Sequence, residues 1–371
     1  MTDGAPGAIA PAELTPGIFS TSGLPAARRI ELWESHNAAA LIGLSVRAPD
    51  SLEAAELNVR LPQARLARVT GSPHSVERTR ELILRCPAGS VVVFLTLRGQ
   101  ARFTADGVTL ERRPGDALAW DTDRPFARTF VRGLEELVVT VPCAELAARS
   151  GAPGLAGPVI TSFGPPATGA SAWSGAPGPY ARAPARSGAP DPYARASARS
   201  GAPDPYARGS ARSGAPDPYA RALARIADRA TRAERPLRPD ERTVLDLVAA
   251  IAAGPRAAPA AAHRAAACSY IEERLTDPNL GAAEVAAAAG ISERQLSRLF
   301  AADGGSVPRH ILARRLQLAH AILSAPRPPT VADAAGACGF TSASYFSHAF
   351  RQHFGHRASD LRRETICPQQ R

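Results

Sequence analysis

The feature that most constrains this chain is a short segment that occurs twice. Residues 282–300 read AAEVAAAAGISERQLSRLF, and residues 331–350 read VADAAGACGFTSASYFSHAF. Each copy has a helix of small residues, a glycine, an apolar residue, a Ser or Thr, and a second helix that ends on Phe. The fold must therefore accommodate two copies of one pair of helices, about 50 residues apart.

In the first copy, residues 282–289 are predicted to form an Ala-rich helix. Gly290 ends it, because glycine adopts the left-handed conformation without strain. Ser292 is the predicted N-cap of the second helix, and Gln295 completes a capping box. That helix has an apolar face of Leu296, Leu299 and Phe300 and a polar face of Arg294, Ser297 and Arg298.

The second copy follows the same plan with a turn that is one residue longer. Residues 331–338 are the predicted first helix, Gly339 is the turn, and Thr341 or Ser342 caps the second helix. The core face of the second helix holds Phe346, Ala349 and Phe350. Its outward face holds Ser344, Ser347, His348 and Arg351.

Between the copies, residues 308–325 are predicted to form a single helix that Pro326 ends. Its predicted buried stripe consists of Ile311, Leu312, Leu316, Ala319, Ile322 and Leu323. The arrangement is that of a helix-turn-helix, whose second helix enters the DNA major groove. Helical pairs with a glycine turn also occur in ordinary bundles, but two copies with outward polar faces favour DNA binding. A rod of roughly 25 Å can hold two such helices near one DNA turn apart, roughly 34 Å.

The N-terminal part reads mainly as short strands separated by turns. Apolar runs at 91–97 and 137–141 favour a closed or sandwiched antiparallel sheet. The turn signals are Arg98-Gly99, Asp106-Gly107, Arg113-Pro114-Gly115-Asp116 and Asp123-Arg124-Pro125. Residues 25–46 look partly helical and then strand-like, and residues 1–22 are a predicted mobile arm.

Residues 174–225 are four tandem copies of a 13-residue unit: SGAPGPYARAPAR, SGAPDPYARASAR, SGAPDPYARGSAR and SGAPDPYARALAR. With two Pro and a Gly in each unit, we expect no helix or strand to run through them. One interpretation is a spacer expanded by repeat slippage. The other is a binding tract for RNA, membrane or a partner that uses Tyr and Arg. Beyond the tract, residues 239–254 are predicted to be helical, either as a dimer face or as packing for the N-terminal domain.

Composition sets broad limits on the class of protein. At 45% hydrophobic and 21% charged residues the chain is ordinary for a soluble protein. No signal peptide or membrane segment is predicted. The five cysteines show no CxxC pairing, which argues against a disulfide framework or a zinc site and fits a reduced cytoplasm. The net charge of +10 suggests an anionic partner, although half of it lies in the repeat tract.

The C-terminal residues 260–363 resemble the DNA-binding domain of the AraC/XylS family of bacterial transcription regulators. The resemblance rests on both copies and on the Arg315-Leu316 pair of the connecting helix. It departs at Ala358, where proline is usual, and at Leu361, where an aromatic residue is common. The family's contacts, carried over by position, imply DNA binding by Arg294, Ser297, Arg298, Ala343, Ser344, Ser347, His348 and Arg351. Arg298 is the strongest candidate for base readout, since Arg binds guanine bidentately.

The N-terminal part resembles more faintly the family's sensor domain, a cupin-like β-barrel. The segment RPGDALAWDTDRPF carries most of this resemblance. Catalytic cupins present a closely spaced set of histidines, whereas only His36 and His74 lie in this domain, far apart. We therefore predict no metal, no cofactor and no catalytic residue. The aromatic residues Phe94, Phe103, Trp120 and Phe126 can line a pocket or form the barrel core, and the effector-binding residues are unknown.

The predicted fold class is α+β multidomain, with a cupin-like β-barrel or sandwich, a disordered repeat linker and an all-α domain with two helix-turn-helix units. The predicted boundaries are 1–22 arm, 23–163 sensor or dimerisation domain, 164–222 repeat linker, 223–258 helical linker and dimer-face candidate, 260–363 DNA-binding domain and 364–371 tail.

The functional hypothesis is a cytoplasmic, nucleoid-associated transcription regulator that binds double-stranded DNA. It predicts a small-molecule effector and no membrane contact. A homodimer and a contact with RNA polymerase are further candidate interactions. The alternatives are a cupin-type enzyme tethered to DNA and an effector-independent regulator whose barrel is a dimerisation scaffold. The effector, the operator and the sign of regulation do not follow from the sequence.

Overall fold

The structure is a computed structural model that describes residues 17–151, 154–164, 216–232, 239–254, 258–302, 304–325 and 327–366. The chain divides into two compact units, Met1–Gly254 and Pro255–Arg371. Each unit is described by itself below. None of the described helices is both long enough and apolar enough to span a membrane.

The first unit contains two antiparallel sheets. The seven-stranded sheet has the order β1-β3-β4-β11-β6-β9-β12, and the five-stranded sheet has the order β2-β5-β10-β7-β8. The strands are β1 Gly17–Ser20, β2 Ser45–Arg47, β3 Ala54–Arg60, β4 Arg65–Gly71, β5 His74–Arg78, β6 Ser90–Gly99, β7 Ala101–Ala105, β8 Val108–Arg112, β9 Asp116–Asp121, β10 Phe126–Phe130, β11 Leu134–Pro142 and β12 Val159–Ser162. The turns between them lie at the positive-φ glycines that the sequence predicted, including Gly99, Gly107 and Gly115. The prediction of a barrel or sandwich is confirmed.

Aromatic side chains fill the core between the sheets. Phe103 lies 5.2 Å from Trp120 and 5.7 Å from Phe126, measured between ring centroids. All three are almost fully buried, as is Phe94. All four aromatics belong to the core, and one of them, Phe94, also lines the cavity described below.

The strands β6 and β11 are buried on both faces, which explains their continuous apolar runs. The helices α3 Cys143–Ser150 and α4 Pro218–Ala230 pack against these strands, and α5 Glu241–Ala253 packs against α3, α4 and β12. Two further helices are α1 Arg29–Ala40 and α2 Arg80–Arg85. Arg68 of β4 contacts Asp228 of α4, and Arg149 of α3 donates to Asp246 of α5 at 3.1 Å. One ion pair thus joins a helix to the sheet, and the other joins two of the helices.

The helix α5 is packing for the N-terminal unit. Every residue from Val244 to Ala252 is buried, and the helix contacts α3, α4 and β12. Asp240 caps it, and the Glu241 carboxylate accepts from the backbone N–H of Ala64 at 3.0 Å. Of the two interpretations of residues 239–254, the structure therefore favours packing over a dimer face.

The predicted mobile arm at 1–22 is wrong for its last residues. Gly17–Ser20 forms the edge strand β1, which pairs with β3. Thr21 is fully buried, and its backbone N–H donates to the carbonyl of Ala54 at 2.9 Å. A four-residue edge strand is too short for a periodic signal, so composition dominated the prediction. Residues 1–16 lie outside the described residues.

The expectation that no helix runs through the repeat is wrong for the fourth copy. Helix α4 begins there at Pro218, and the Asp217 carboxylate accepts from the N–H groups of Tyr219 and Ala220, both at 2.9 Å. Proline in the first turn costs no hydrogen bond, since that N–H has no helical partner. The fourth copy also places Leu223, which is fully buried, where the second and third copies have serine. The first three copies lie outside the described residues.

The described residues on either side of the segment 165–215 lie next to each other. The backbone N–H of Asp217 donates to the carbonyl of Ser162 at 2.6 Å. A Cβ placed on Gly164 would lie 3.1 Å from Cγ of Pro216. The described residues on both sides of 165–215 therefore belong to the first unit. The prediction of a repeat linker between the two domains is corrected accordingly, because the chain passes to the second unit only after Gly254.

The second unit is entirely helical over its described residues. Its helices are α6 Ala260–Glu273, α7 Ala282–Ala288, α8 Glu293–Ala301, α9 Val307–Leu323, α10 Val331–Ala337, α11 Ala343–Phe354 and α12 Ala358–Ile366. Gly290 and Gly339 have φ of 70° and 79°, as the predicted turns require. Along α9 the buried residues include Ile311, Leu316 and Leu323, which confirms its apolar stripe. The predicted tail begins inside α12.

Candidate nucleic-acid interface and barrel cavity

The helix α8 presents one buried and one exposed face. Its N-cap is Ser292, whose Oγ accepts from the backbone N–H of Gln295 at 3.2 Å. Leu296 and Phe300 are buried in the unit. The three predicted contact residues are exposed: Arg294, Ser297 and Arg298. The amphipathic pattern therefore positions the polar side chains as the sequence predicted.

Both arginines of this exposed face are uncommitted. No ion pair or side-chain hydrogen bond joins Arg294 or Arg298 to another residue in the part of the chain that the structure describes. Arg314, in contrast, donates to both carboxylate oxygens of Glu272, at 2.6 and 3.0 Å. Exposed guanidinium groups without an internal partner can bind phosphate or the guanine edge bidentately.

The second recognition helix, α11, has the same geometry and a different surface. Its N-cap is Ser342, which accepts from the N–H of Tyr345 at 3.2 Å, so Ser342 rather than Thr341 is the cap. The predicted contact residues Ala343, Ser344, Ser347, His348 and Arg351 are all exposed. The Ser347 hydroxyl donates to the carbonyl of Ala343 at 2.9 Å, so its proton is already used within the helix. This face offers fewer donors to base edges than α8 does.

Tyr345 is an exposed residue of this surface that the sequence reasoning missed. It lies in the first turn of α11 and is 55% exposed, and its ring centroid lies 6.4 Å from that of Phe340. The signal was its position beside Ser344 in the first turn of the recognition helix. A phenol there can donate to a phosphate oxygen or pack against a sugar.

The departures from the family pattern leave the last helix intact. Ala358 is the first residue of α12 and is buried, and Leu361 packs against the core formed by α9, α10 and α11. Alanine at this position thus supports the helix start without a proline.

The barrel of the first unit contains a partly open cavity of about 40 Å³. It is lined by Trp33, Asn37, Leu41, Ile42, Leu44, Val69, His74, Val76, Phe94, Arg128, Phe130, Leu134, Glu136 and Val138. Strand alternation explains the inward charges, because Arg128 shares a face of β10 with Phe130, and Glu136 shares a face of β11 with Val138. The Arg128 Nη1 and Nη2 donate to the two Glu136 carboxylate oxygens at 2.8 and 2.6 Å.

The polar groups of the cavity carry no net charge in this arrangement. The bidentate pair of Arg128 and Glu136 neutralises itself, and the Arg128 guanidinium carbon lies 3.8 Å from the ring centroid of Phe94. Burial lowers the pKa of His74, so its ring is held neutral. His74 Nδ1 lies 2.7 Å from the carbonyl of Ser72, which assigns the proton to Nδ1 and leaves a lone pair on Nε2.

The two histidines of the first unit lie in different environments. His36 stacks on Phe19 with ring centroids 4.2 Å apart, and its Nε2 lies 3.3 Å from a carboxylate oxygen of the buried Glu56. His74 faces the cavity. Within the described ranges, no group of three or more His, Cys, Asp or Glu side chains is placed to hold a metal ion.

Two family models match separate parts of the chain. A helix-turn-helix domain matches residues 285–364, and an AraC-binding-like domain matches residues 34–174. The first match covers both recognition helices, and the second covers every strand of the barrel except β1.

The chain is similar to curated regulators over about a quarter of its length. It is 35% identical over 94 residues to the transcriptional activator RhrA of Rhizobium meliloti (strain 1021), which is 25% of this chain and 30% of RhrA. It is also 35% identical over 94 residues to the transcriptional activator NphR of a Rhodococcus species, 25% of this chain and 28% of NphR. The matches thus span under a third of either relative.

A solved structure aligns over more of the chain. The AraC-like transcriptional activator CuxR aligns with 83% of this chain and 96% of its own, with a TM-score of 0.43 and 20% identity. The two family models together match more than half of the chain and place an AraC-binding-like domain and a helix-turn-helix domain in one protein. On these two matches the chain belongs to the AraC/XylS family of bacterial transcription regulators.

Proposed function

We propose that this protein is a sequence-specific DNA-binding regulator of transcription. The observation that carries the proposal is the pair of capped recognition helices, α8 and α11, whose outward faces are polar and exposed. A helix of this kind fits the major groove with its N-terminal residues at base edges. The helix α9 between them spans 17 residues, about 25 Å, which suits two successive grooves of one DNA molecule.

The two helices have different roles in this proposal. Arg294, Ser297 and Arg298 read bases in the first groove, with Arg298 on guanine. In the second groove Ala343, Ser344, Ser347 and His348 make short contacts, and Arg351 and Tyr345 bind the backbone. The uncommitted guanidinium groups of α8 support the first assignment, and the small side chains of α11 support the second. The second half adds affinity more than specificity.

The first unit is proposed to respond to a small molecule in the barrel cavity. A water needs about 10–15 Å³ of such volume, so the present cavity of about 40 Å³ holds about three or four waters or a compact ligand. Because the Arg128–Glu136 pair is neutral and the rest of the lining is mostly apolar, an uncharged ligand avoids the cost of burying a charge. Acetamide, acetate and acetamidinium share one shape and differ in charge. We expect acetamide to raise the unfolding temperature most.

The remaining roles follow from this function. We propose no catalytic activity, a cytoplasmic location and association with the nucleoid. The alternative of a tethered cupin enzyme gains no support, since the described residues lack a metal-binding cluster. A homodimer and a contact with RNA polymerase stay predictions.

Selection of genomic fragments by the purified full-length chain tests the function. At physiological salt, wild type should recover a short bipartite motif, and Arg298→Ala should lose the bases of the first half-site. Equal, salt-sensitive binding of every fragment by both proteins would leave only nonspecific binding by charge, and the proposal would be abandoned.

A further inference from the structure

Three segments of the second unit meet at the loop between α6 and α7. Arg315 of α9 donates from Nε to the carbonyl of Leu275 at 2.8 Å and from Nη2 to the carbonyl of Asp277. One guanidinium therefore holds the two carbonyls that flank Thr276. Arg315 lies in the middle of the helix that joins the two recognition units.

The turn of the second copy rests on the same loop. Gly339 has φ of 79°, and a Cβ placed on it would lie 2.7 Å from the carbonyl oxygen of Thr276 and 3.3 Å from Cζ of Arg315. Glycine is thus required here for close approach as well as for conformation. The loop of the first half, the connecting helix and the turn of the second half form one junction.

The loop itself is held in shape by its own side chains. The Asp277 carboxylate accepts from Arg274 at 2.8 Å and from the backbone N–H of Asn279 at 3.0 Å. The carbonyls that Arg315 binds are therefore fixed relative to α6 and α7. A distortion of this loop would be transmitted to the second turn through Thr276.

We infer that Arg315 is a positioning residue that sets the separation and orientation of the two recognition helices. The inference rests on the proposed function. Apolar packing of α10 and α11 on α9 holds the halves together but is not directional. The planar guanidinium fixes direction, because its donors diverge in a rigid fork. Without that fork, each half still binds its own groove, and the two are no longer presented at one fixed spacing.

Two grooves bound by one chain act as a bivalent site. The second contact forms at a high effective concentration only when the geometry matches the spacing in the DNA. A rigid junction therefore predicts a sharp preference for one spacing between half-sites. A loosened junction predicts weaker binding at that spacing and a flatter profile around it.

The test is a spacing profile measured with the full-length chain. Duplexes carry both selected half-sites at the preferred spacing, the same half-sites with one to four base pairs inserted or removed, and each half-site alone. Arg315→Lys keeps the charge and the stem but lacks the fork. We expect it to lose about tenfold in affinity at the preferred spacing, to bind each half-site alone as wild type does, and to discriminate less between spacings.

The matched control is Arg314→Lys, one residue earlier on α9, where the guanidinium binds Glu272 instead of the loop carbonyls. It should keep the wild-type profile. An unchanged profile for Arg315→Lys overturns the inference. If Arg315→Lys also fails to bind single half-sites, Gly339→Ala, which forces the turn away from Thr276, decides by the same profile. A wild type that selects no bipartite site would instead refute the proposed function.

Discussion

The two helix-turn-helix units share a backbone and differ in the surface that it carries. Helices α7 and α10 each span seven residues, each is followed by a glycine with positive φ, and each recognition helix has a serine N-cap. At equivalent exposed positions, helix α8 carries Arg294 and Arg298, whereas helix α11 carries Ser344 and His348. The frame is set by the glycine, the cap and the buried apolar residues, so the outward side chains are free to diverge.

This difference separates two tasks within one domain. Long forked side chains can reach and discriminate bases, whereas short side chains let the helix approach the DNA backbone closely. We therefore propose that α8 discriminates between bases and that α11 binds mainly the DNA backbone.

The largest expected effect comes from Arg298→Ala. Loss of a bidentate guanine contact should cost about 1–3 kcal/mol for the selected site and relax the base preference at one position of the first half-site. The matched change in α11 is His348→Ala, which should lower the binding free energy by less. Equilibrium binding to the selected site and to a site with that position changed checks both. Equal losses of affinity for the two variants would show that α8 and α11 do not differ in role.

A smaller gain is expected from His348→Arg, which places arginine at the position equivalent to Arg298. If the backbones are interchangeable, the variant should bind the second half-site several-fold more tightly when guanine occupies the facing position, about 1 kcal/mol. Selection with randomised second half-sites reveals the new preference. A uniform increase for all sequences would mean that the added charge only contacts phosphate.

Low pH should lower the stability of the C-terminal unit, Pro255–Arg371, through two histidines that pack in its first half. Burial lowers the pKa of His263 and of His310, and His310 lies 5.3 Å from Phe300, between ring centroids. The unfolded chain binds these protons near the usual pKa of about 6.5 and the folded state does so only at lower pH, so stability falls as pH drops below about 6.5. Thermal unfolding between pH 7.5 and 5 measures this. His263→Gln with His310→Gln should flatten the dependence, and an unchanged slope would assign it to other groups.

The smallest effect on DNA binding is expected from removing the first three repeat copies, residues 174–212. The comparison between the recognition helices should be unaffected, since the segment closes on the first unit. The deletion shortens the segment 165–215 about fourfold. Because each doubling of a flexible loop costs about 0.6 kcal/mol in closure entropy, the deletion should stabilise that unit by about 1 kcal/mol. Chemical denaturation and the half-site profile check both statements. A shifted spacing preference would show that the repeats act on the DNA-binding unit.

Local signals made the DNA-binding frame predictable. Gly290, Gly339 and the serine caps act within a few residues of themselves, so a sequence pattern contains the whole cause. The junction at Arg315 escaped prediction, because its partners Leu275 and Asp277 lie far away in the sequence and are backbone carbonyls, which leave no side-chain signal.

The first unit shows a second limit of sequence patterns. The continuous apolar runs favoured a closed or sandwiched sheet, but they did not indicate which helices cover its strands. The cover includes α4, which begins inside a repeat whose composition argues against a helix. One residue, Leu223, distinguishes this copy from the second. Similarly, the pairing of the inward Arg128 and Glu136 is visible only in three dimensions.

The adjacency of Gly164 and Pro216 also makes this position a natural place to insert another domain. A fluorescent or enzymatic reporter whose own termini lie close together could replace residues 165–215 without stretching either β12 or α4. Such a fusion would leave the N-terminus and the DNA-binding end of the regulator free. A reporter at this position would therefore test the proposed effector directly, since a ligand that alters the barrel should change its signal.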